Sequence, residues 1–114
     1  MPYKRGDVVL VLYPNSDLQS AKKRPALVVQ SDEIETGLPQ RVVAMITSNL
    51  DRKGPTRVMV GRDTSEGRFM GILTDSVIVM DNVATVLDRE IEQKIGEKPD
   101  MNSVTEALRR VFDL

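Results

Sequence analysis

The chain of 114 residues has no histidine, no cysteine and no tryptophan. Without cysteine it can form neither a disulfide nor a thiolate metal site, and without histidine it lacks the side chain that most often moves protons near neutral pH. Aromatic residues are confined to two tyrosines and two phenylalanines, which argues against an adaptor that docks peptides in an aromatic-lined groove. No apolar run reaches the about 18 residues of a membrane span. The start, Met1-Pro2-Tyr3-Lys4-Arg5-Gly6-Asp7, turns polar at once and lacks the long apolar segment of a secretory signal. These absences point to a cytoplasmic protein with no membrane partner, built as one domain over residues 1–114. Any phosphate chemistry must then lean on guanidinium and hydroxyl groups.

The formal net charge of -1 hides a division along the chain. Residues 1–30 net +3, residues 31–40 net -3, residues 41–73 net +3 and residues 74–114 net -4. Basic charge collects on the early segments and acidic charge on the C-terminal third, a pattern that permits a local anion-binding face without global affinity for nucleic acid.

Branched residues at 8–12 after Gly6-Asp7 predict a turn and a strand buried on both faces. Residues 13–21, with Pro14, Asn15, Ser16 and Asp17, read as a loop. A second strand is expected over residues 25–30, because the first position of a strand is one of the few that tolerate proline. Further strands are expected at residues 41–47, 57–60 and 72–80, the last continuing past a bend at Asp81-Asn82 through residue 87. Residues 61–71 read as a polar loop, residues 88–90 as one helical turn, and residues 91–95 as a strand ended by Gly96. Met101, Val104, Leu108 and Val111 recur at helical spacing, with Ser103 and Glu106 spaced for a capping box and Phe112 placed in the helix core. The sum is a mainly β chain with minor α, a small SH3-like antiparallel β-barrel closed by a C-terminal helix.

The run Lys22-Lys23-Arg24-Pro25 leads into Ala26-Leu27-Val28-Val29 and is answered by Val42-Val43-Ala44-Met45-Ile46-Thr47-Ser48. Two buried strands thus carry an arginine and a threonine at their ends. Taken in order, Gly6-Asp7-Val8-Val9, Arg24-Pro25-Ala26-Leu27-Val28-Val29, Ile46-Thr47-Ser48 and Asp75-Ser76-Val77, with the C-terminal helical pattern, the chain resembles the MazF/PemK family of toxin endoribonucleases over nearly its whole length. The resemblance implies a homodimeric barrel of the MazF/CcdB-like kind that cuts single-stranded RNA at short sequences. It also implies cleavage without metal or other cofactor, through attack of the 2′-hydroxyl to leave a 2′,3′-cyclic phosphate and a 5′-hydroxyl, and neutralisation by a cognate antitoxin protein. The family's catalytic arginine and threonine fall on Arg24 and Thr47. Two departures stand out. The first loop, glycine-rich with a glutamate in many members, contains no glycine between residues 15 and 23. Where members place an arginine two residues before an acidic residue on a later strand, Asp81 matches the acid but Val79 occupies the arginine's place.

A guanidinium is planar, multiply donating and always charged, so it suits the developing charge on a phosphate better than proton abstraction. Arg24 is therefore expected to stabilise transition-state charge, and Thr47 to add a hydroxyl hydrogen bond. Candidate RNA-binding residues around this pair are Tyr13, Ser20, Lys22, Lys23, Ser48, Asn49, Asp75 and Ser76. Tyr13 and Phe69 are the available base stackers, and the lysines would contact phosphates with a strength that falls with salt. Each has a structural alternative: Thr47 is a good strand former, Ser20 and Ser48 suit turns, and Asp75 with Ser76 can satisfy a loop. Asp63, Glu66, Asp75, Asp81 and Asp88 show no metal-ligand spacing. The competing function is a non-catalytic toxin on the same fold that traps a protein target such as DNA gyrase.

Overall fold

The computed structural model describes residues 3–14, 17 and 19–114. The expectations placed on Met1, Pro2, Asn15, Ser16 and Leu18 lie outside the described residues. Six strands, β1 (Asp7–Pro14), β2 (Ala21–Val28), β3 (Gln40–Thr47), β4 (Arg57–Val60), β5 (Ser76–Leu87) and β6 (Ile91–Glu97), form one sheet in the order β4-β5-β3-β2-β1-β6. Every neighbouring pair is antiparallel. Helices α1 (Ser65–Met70) and α2 (Asn102–Phe112) and the expected turn, a 3-10 helix at Asp88–Glu90, complete the chain.

The central strands are apolar without alternation because both of their faces are buried. Val8, Leu27, Ala44, Ile46 and Ile78 pack with Met70 of α1 and Val104 and Ala107 of α2. Val9, Val11, Ala26, Val28, Val43, Met45 and Val77 form a second core with Val86 and Ile91. Strand β5 contributes to this second core on both sides of a bend. Its register against β3 jumps from Val83 opposite Ala44 to Val79 opposite Met45, so residues 80–82 bulge out at the bend expected from Asp81-Asn82. The far half of β5 stays paired with β3, and the odd number of bulged residues puts Val86 in the same core as Val77 and Val79.

The expected barrel is corrected to an open, coiled sheet. Among the described residues no ladder joins the edge strands β4 and β6. Instead α1 follows β4 directly and packs on β6. A helix satisfies its own backbone, so it can cover a sheet edge where a closing ladder is missing.

The expected polar loop at residues 61–71 contains α1. Thr64 caps its start, accepting the Gly67 N–H at 3.0 Å, and Gly71 ends it in the left-handed region at φ 73°. The helix lies so close to β6 that a Cβ on Gly71 would stand 2.1 Å from the Ile95 carbonyl oxygen, and one on Gly96 would stand 2.3 Å from the Met70 carbonyl carbon and oxygen. Gly96 therefore sits within β6, where contact excludes a side chain, and does not end the strand. Lys98, its side chain almost wholly buried, ties the same region together through Glu66 of α1 at 2.7 Å and the Asp100 carbonyl at 2.8 Å.

Other expectations shift at their boundaries. Strand β2 begins at Ala21, because pairing with β1 runs back to Pro14 opposite Ala21. Pro25 is thus within the strand, opposite Leu10; it is tolerated because β3 pairs with β2 only over Ala26–Val28, leaving the proline no ladder partner on that side. Residues 72–75 are not strand. The capping box at Ser103 and Glu106 does not form: Met101 is the N-cap, and the Asp100 carboxylate accepts the Asn102 N–H at 2.9 Å. Phe112 is 56% exposed, not in the helix core. Among the described residues no helix is long and apolar enough to cross a membrane.

Candidate active site

Strands β2 and β3 are in register at Ala26 opposite Met45. The ladder ends at that pair; Arg24 stands two residues before Ala26 and Thr47 two residues after Met45, beyond the paired stretch. On its other side Thr47 lies opposite Val77 of β5, and Val77 opposite Met59 of β4. Hydroxyl, valine and an exposed methionine therefore stand in line across three strands. Both Arg24 and Thr47 are half-buried.

Beside them opens a cavity of about 330 Å³. Lys22, Lys23 and Arg24 form its cationic side, and Thr47, Ser48 and Ser76 contribute hydroxyls. Leu10, Pro25, Ile46 and Ile95 supply apolar floor, and residues 71–74 form the facing wall. The wall is held in place by α1, whose close seat on β6 was described above.

Local hydrogen bonds orient the polar groups. Thr47 Oγ1 accepts the Asn49 N–H at 3.1 Å, and Asn49 Oδ1 accepts the Asp51 N–H at 3.1 Å. This turn occupies a lone pair of the threonine and leaves its proton to donate outward. Ser76 is buried and its Oγ donates to the Thr74 carbonyl at 2.9 Å, so its lone pairs remain as acceptors. Lys23 pairs with Glu92 of β6 at 3.3 Å, an exposed contact of little energetic weight.

Several expected site residues stand elsewhere. Tyr13 is fully buried in the second core, its hydroxyl donating to the Asn82 carbonyl at 2.6 Å, so its ring is not available to stack on a base. Burial pushes its phenol up to about 12, against the smaller opposing effects of a hydrogen bond at Met45 and the positive charge of Arg24. Ser20 Oγ donates to the Asp17 carboxylate at 2.9 Å. That carboxylate also accepts the Gln19 and Ser20 N–H groups, and these bonds hold it below the usual carboxylate range. Asp75 accepts the Arg62 N–H at 2.8 Å and serves the loop before α1; neither it nor Asn49 lines the cavity. Phe69 is 68% exposed on α1, outside the cavity lining.

The sequence reading missed residues 71–74 as a wall because it ended a loop at Gly71 and drew residues 72–74 into a strand. The signal was Thr64, a helix cap, followed seven residues later by Gly71. It also missed Arg57, which stands opposite Val79 in the β4–β5 ladder and grips both oxygens of Asp81 at 2.7 and 2.9 Å. The guanidinium absent from position 79 thus reaches Asp81 from the neighbouring strand, and its hydrogen bonds hold that carboxyl below its ordinary value. Among the described residues no three acidic side chains converge as metal ligands would.

Comparison with known proteins matches residues 4–112 to the family described as PemK-like, MazF-like toxin of type II toxin-antitoxin system. The chain is 35% identical over 107 residues to endoribonuclease MazF6 of Mycobacterium tuberculosis, covering 90% of each sequence. It is 33% identical over 113 residues to endoribonuclease EndoA of Bacillus subtilis, covering 96% of this chain and 93% of that one. Its fold superposes with a TM-score of 0.75, at 24% identity and over 98% of this chain and 96% of the other, on a mycobacterial endoribonuclease solved with its cognate antitoxin.

Proposed function

The chain belongs to the PemK-like, MazF-like family of toxins of type II toxin-antitoxin systems, and from that premise we propose that it is an endoribonuclease cutting single-stranded RNA at short sequences, with neither metal nor cofactor. The observation that supports this reading is that Arg24 and Thr47 line one cleft together with Lys22 and Lys23.

In the reaction the ribose 2′-oxygen attacks the adjacent phosphorus. The P–O2′ bond forms as the hydroxyl proton leaves, and the P–O5′ bond breaks as the departing oxygen takes up a proton. The products are a 2′,3′-cyclic phosphate and a 5′-hydroxyl. Negative charge builds on the two non-bridging oxygens, and a forked guanidinium meets it best. Arg24 takes this role. Thr47 donates its proton to the same phosphate, since its lone pair is engaged by Asn49. Lys22 and Lys23 hold flanking phosphates through charge alone, a contribution that falls with salt.

The toxin works as a homodimer in the cytoplasm and is silenced by a cognate antitoxin whose acidic segment covers the basic cleft and excludes RNA. The antitoxin in the complex of the mycobacterial relative and the +3 charge of residues 1–30 support this reading.

The test is a long unstructured RNA incubated with purified, antitoxin-free protein in excess chelator, beside Arg24→Ala and Arg24→Lys. Discrete cuts with 5′-hydroxyl ends are expected, with the rate falling about 100- to 1,000-fold in Arg24→Ala. A lysine supplies charge without the fork, so near-full activity in Arg24→Lys would refute the assigned role. Intact RNA from folded wild-type protein would turn the assignment to a toxin that binds a protein target.

A further inference from the structure

The cleft is larger and more apolar than phosphate binding requires. Arg24 and Thr47 account for one end. Beyond them lie Leu10, Ile46 and Ile95 as floor, with Leu73 standing 87% exposed at the opposite lip. A volume of about 330 Å³ falls at the lower end of the range for small-ligand sites. A nucleobase has two apolar faces and a polar perimeter, and it is tethered by its ribose within reach of the phosphate it accompanies. Where aromatic platforms are missing, aliphatic side chains can cover those faces.

We propose that the inner cleft is a base pocket, in which one unstacked nucleobase beside the scissile phosphate lies between Leu73 and the aliphatic floor and is read at its edge by Ser76. This rests on the nuclease reading above and adds where its sequence preference arises. The polarity of the reading group is set by the fold. Ser76 Oγ is buried and spends its proton on the Thr74 carbonyl, so toward the cleft it accepts. The pocket therefore favours a base that presents an N–H donor at that edge and disfavours one that presents a carbonyl there. The wall carrying Leu73 and Thr74 keeps its distance from the floor because α1 is seated on Gly96 and tied by Glu66 to Lys98. Cationic residues at the rim of the same cavity favour a nucleotide over an acidic peptide anchored by an apolar side chain only through continuity with Arg24 and Thr47, and the peptide is accordingly one arm of the test.

RNA of random single-stranded sequence is cut by wild type, Leu73→Ala and Ser76→Ala, and the fragment ends are sequenced to give the base preference at every position around the cut. Fragments should still end in 5′-hydroxyls, and one position next to the cut should lose about fivefold to tenfold of its preference in both variants while other positions keep theirs. Unchanged preference in both variants, or uniform slowing across all sequences, would overturn the pocket and leave the nuclease standing. So would an acidic peptide with a bulky apolar residue that loses affinity in Leu73→Ala while base preference stays fixed. Absence of cutting by wild type would remove the nuclease reading and the pocket with it. Melting curves of the two variants distinguish a reading defect from unfolding, and Leu73, exposed as it is, provides a substitution that spares the core.

Discussion

Replacing Gly96 with alanine should cost far more than its single methyl group suggests. The new Cβ would stand 2.3 Å from the carbonyl carbon and oxygen of Met70 and 2.4 Å from the carbonyl oxygen of Phe69. Non-bonded carbon contacts settle at about 3.5 Å or more, so the last turn of α1 and strand β6 must part by about 1 Å. Neither side can yield by turning a side chain, since the colliding atoms are backbone. The helix is also held by Met70 in the first core, by the Gly71 contact with Ile95 and by the Glu66–Lys98 pair at 2.7 Å. The expected loss is about 3 kcal/mol, at the upper end for overpacking, out of a stability on the order of 5 to 15 kcal/mol. The melting temperature should fall by about 12 °C. Urea titration followed by circular dichroism reads the free energy. Gly37→Ala is the control, because it adds a methyl into open space at a φ of +74° and should cost only about 1 kcal/mol of backbone strain. If Gly96→Ala proved no more destabilising than Gly37→Ala, the tight seat of α1 on β6 would be refuted, and with it the rigid wall assigned to residues 71–74.

Tyr13→Phe should remove a phenolate absorbance step near pH 12. Because burial raises this group above its unfolded value near 10, the stability it confers is complete below about pH 10 and lost as pH rises towards 12; a wild-type titration without the late step would contradict this. Arg57→Ala should raise the Asp81 carboxyl titration seen by NMR. The depressed value means that the pair's contribution is present above the ordinary carboxylate range and disappears as pH falls through the folded value, so an unmoved titration would show that the fork is not its cause. Lys98→Met should destabilise by about 1 to 2 kcal/mol, less than for a fully buried pair because Glu66 keeps partial contact with water. Lys98→Met combined with Glu66→Gln should regain part of that loss, and a double variant as unstable as the sum of the singles would deny the coupling.

Most strands could be read directly, because branched residues buried on two faces leave unbroken apolar runs at residues 8–12 and 42–46. The bend at Asp81-Asn82 was visible for a similar reason, two polar residues interrupting such a run. The sheet's closure was not. Whether edges meet depends on bulges and on what lies between β4 and β6, and α1 hides there in six residues whose caps are more telling than their periodicity. Proline misled at position 25, since its rule concerns missing ladder partners and those depend on how far β3 extends. Arg24 and Thr47, expected side by side from the sequence, line one cavity, although Arg24 lies inside β2 and not at its end. The burial of Tyr13 was not legible, because β1 continues through Tyr13 to Pro14, a stretch whose composition reads as loop. Arg57 escaped notice because its partner is supplied by register between strands, which no local window contains.

The short overlap between β2 and β3 has a consequence for where the sheet gives way first. Pairing with β6 stops at Val11 and pairing with β3 stops at Ala26, so Leu12–Pro14 and Ala21–Lys23 hold on to one another alone. A two-stranded ribbon of this size is marginal by itself. Its moorings are the Tyr13 ring and hydroxyl, fixed to Asn82 at 2.6 Å, and the exposed Lys23–Glu92 pair. Amide hydrogens of the ribbon should therefore exchange by a local opening well below the free energy of global unfolding, while those of Val8–Leu10 and Leu27–Val28 exchange only with the whole domain. Arg24 lies at the boundary between the two regimes, so the lysine-bearing arm can open without disturbing the guanidinium next to it.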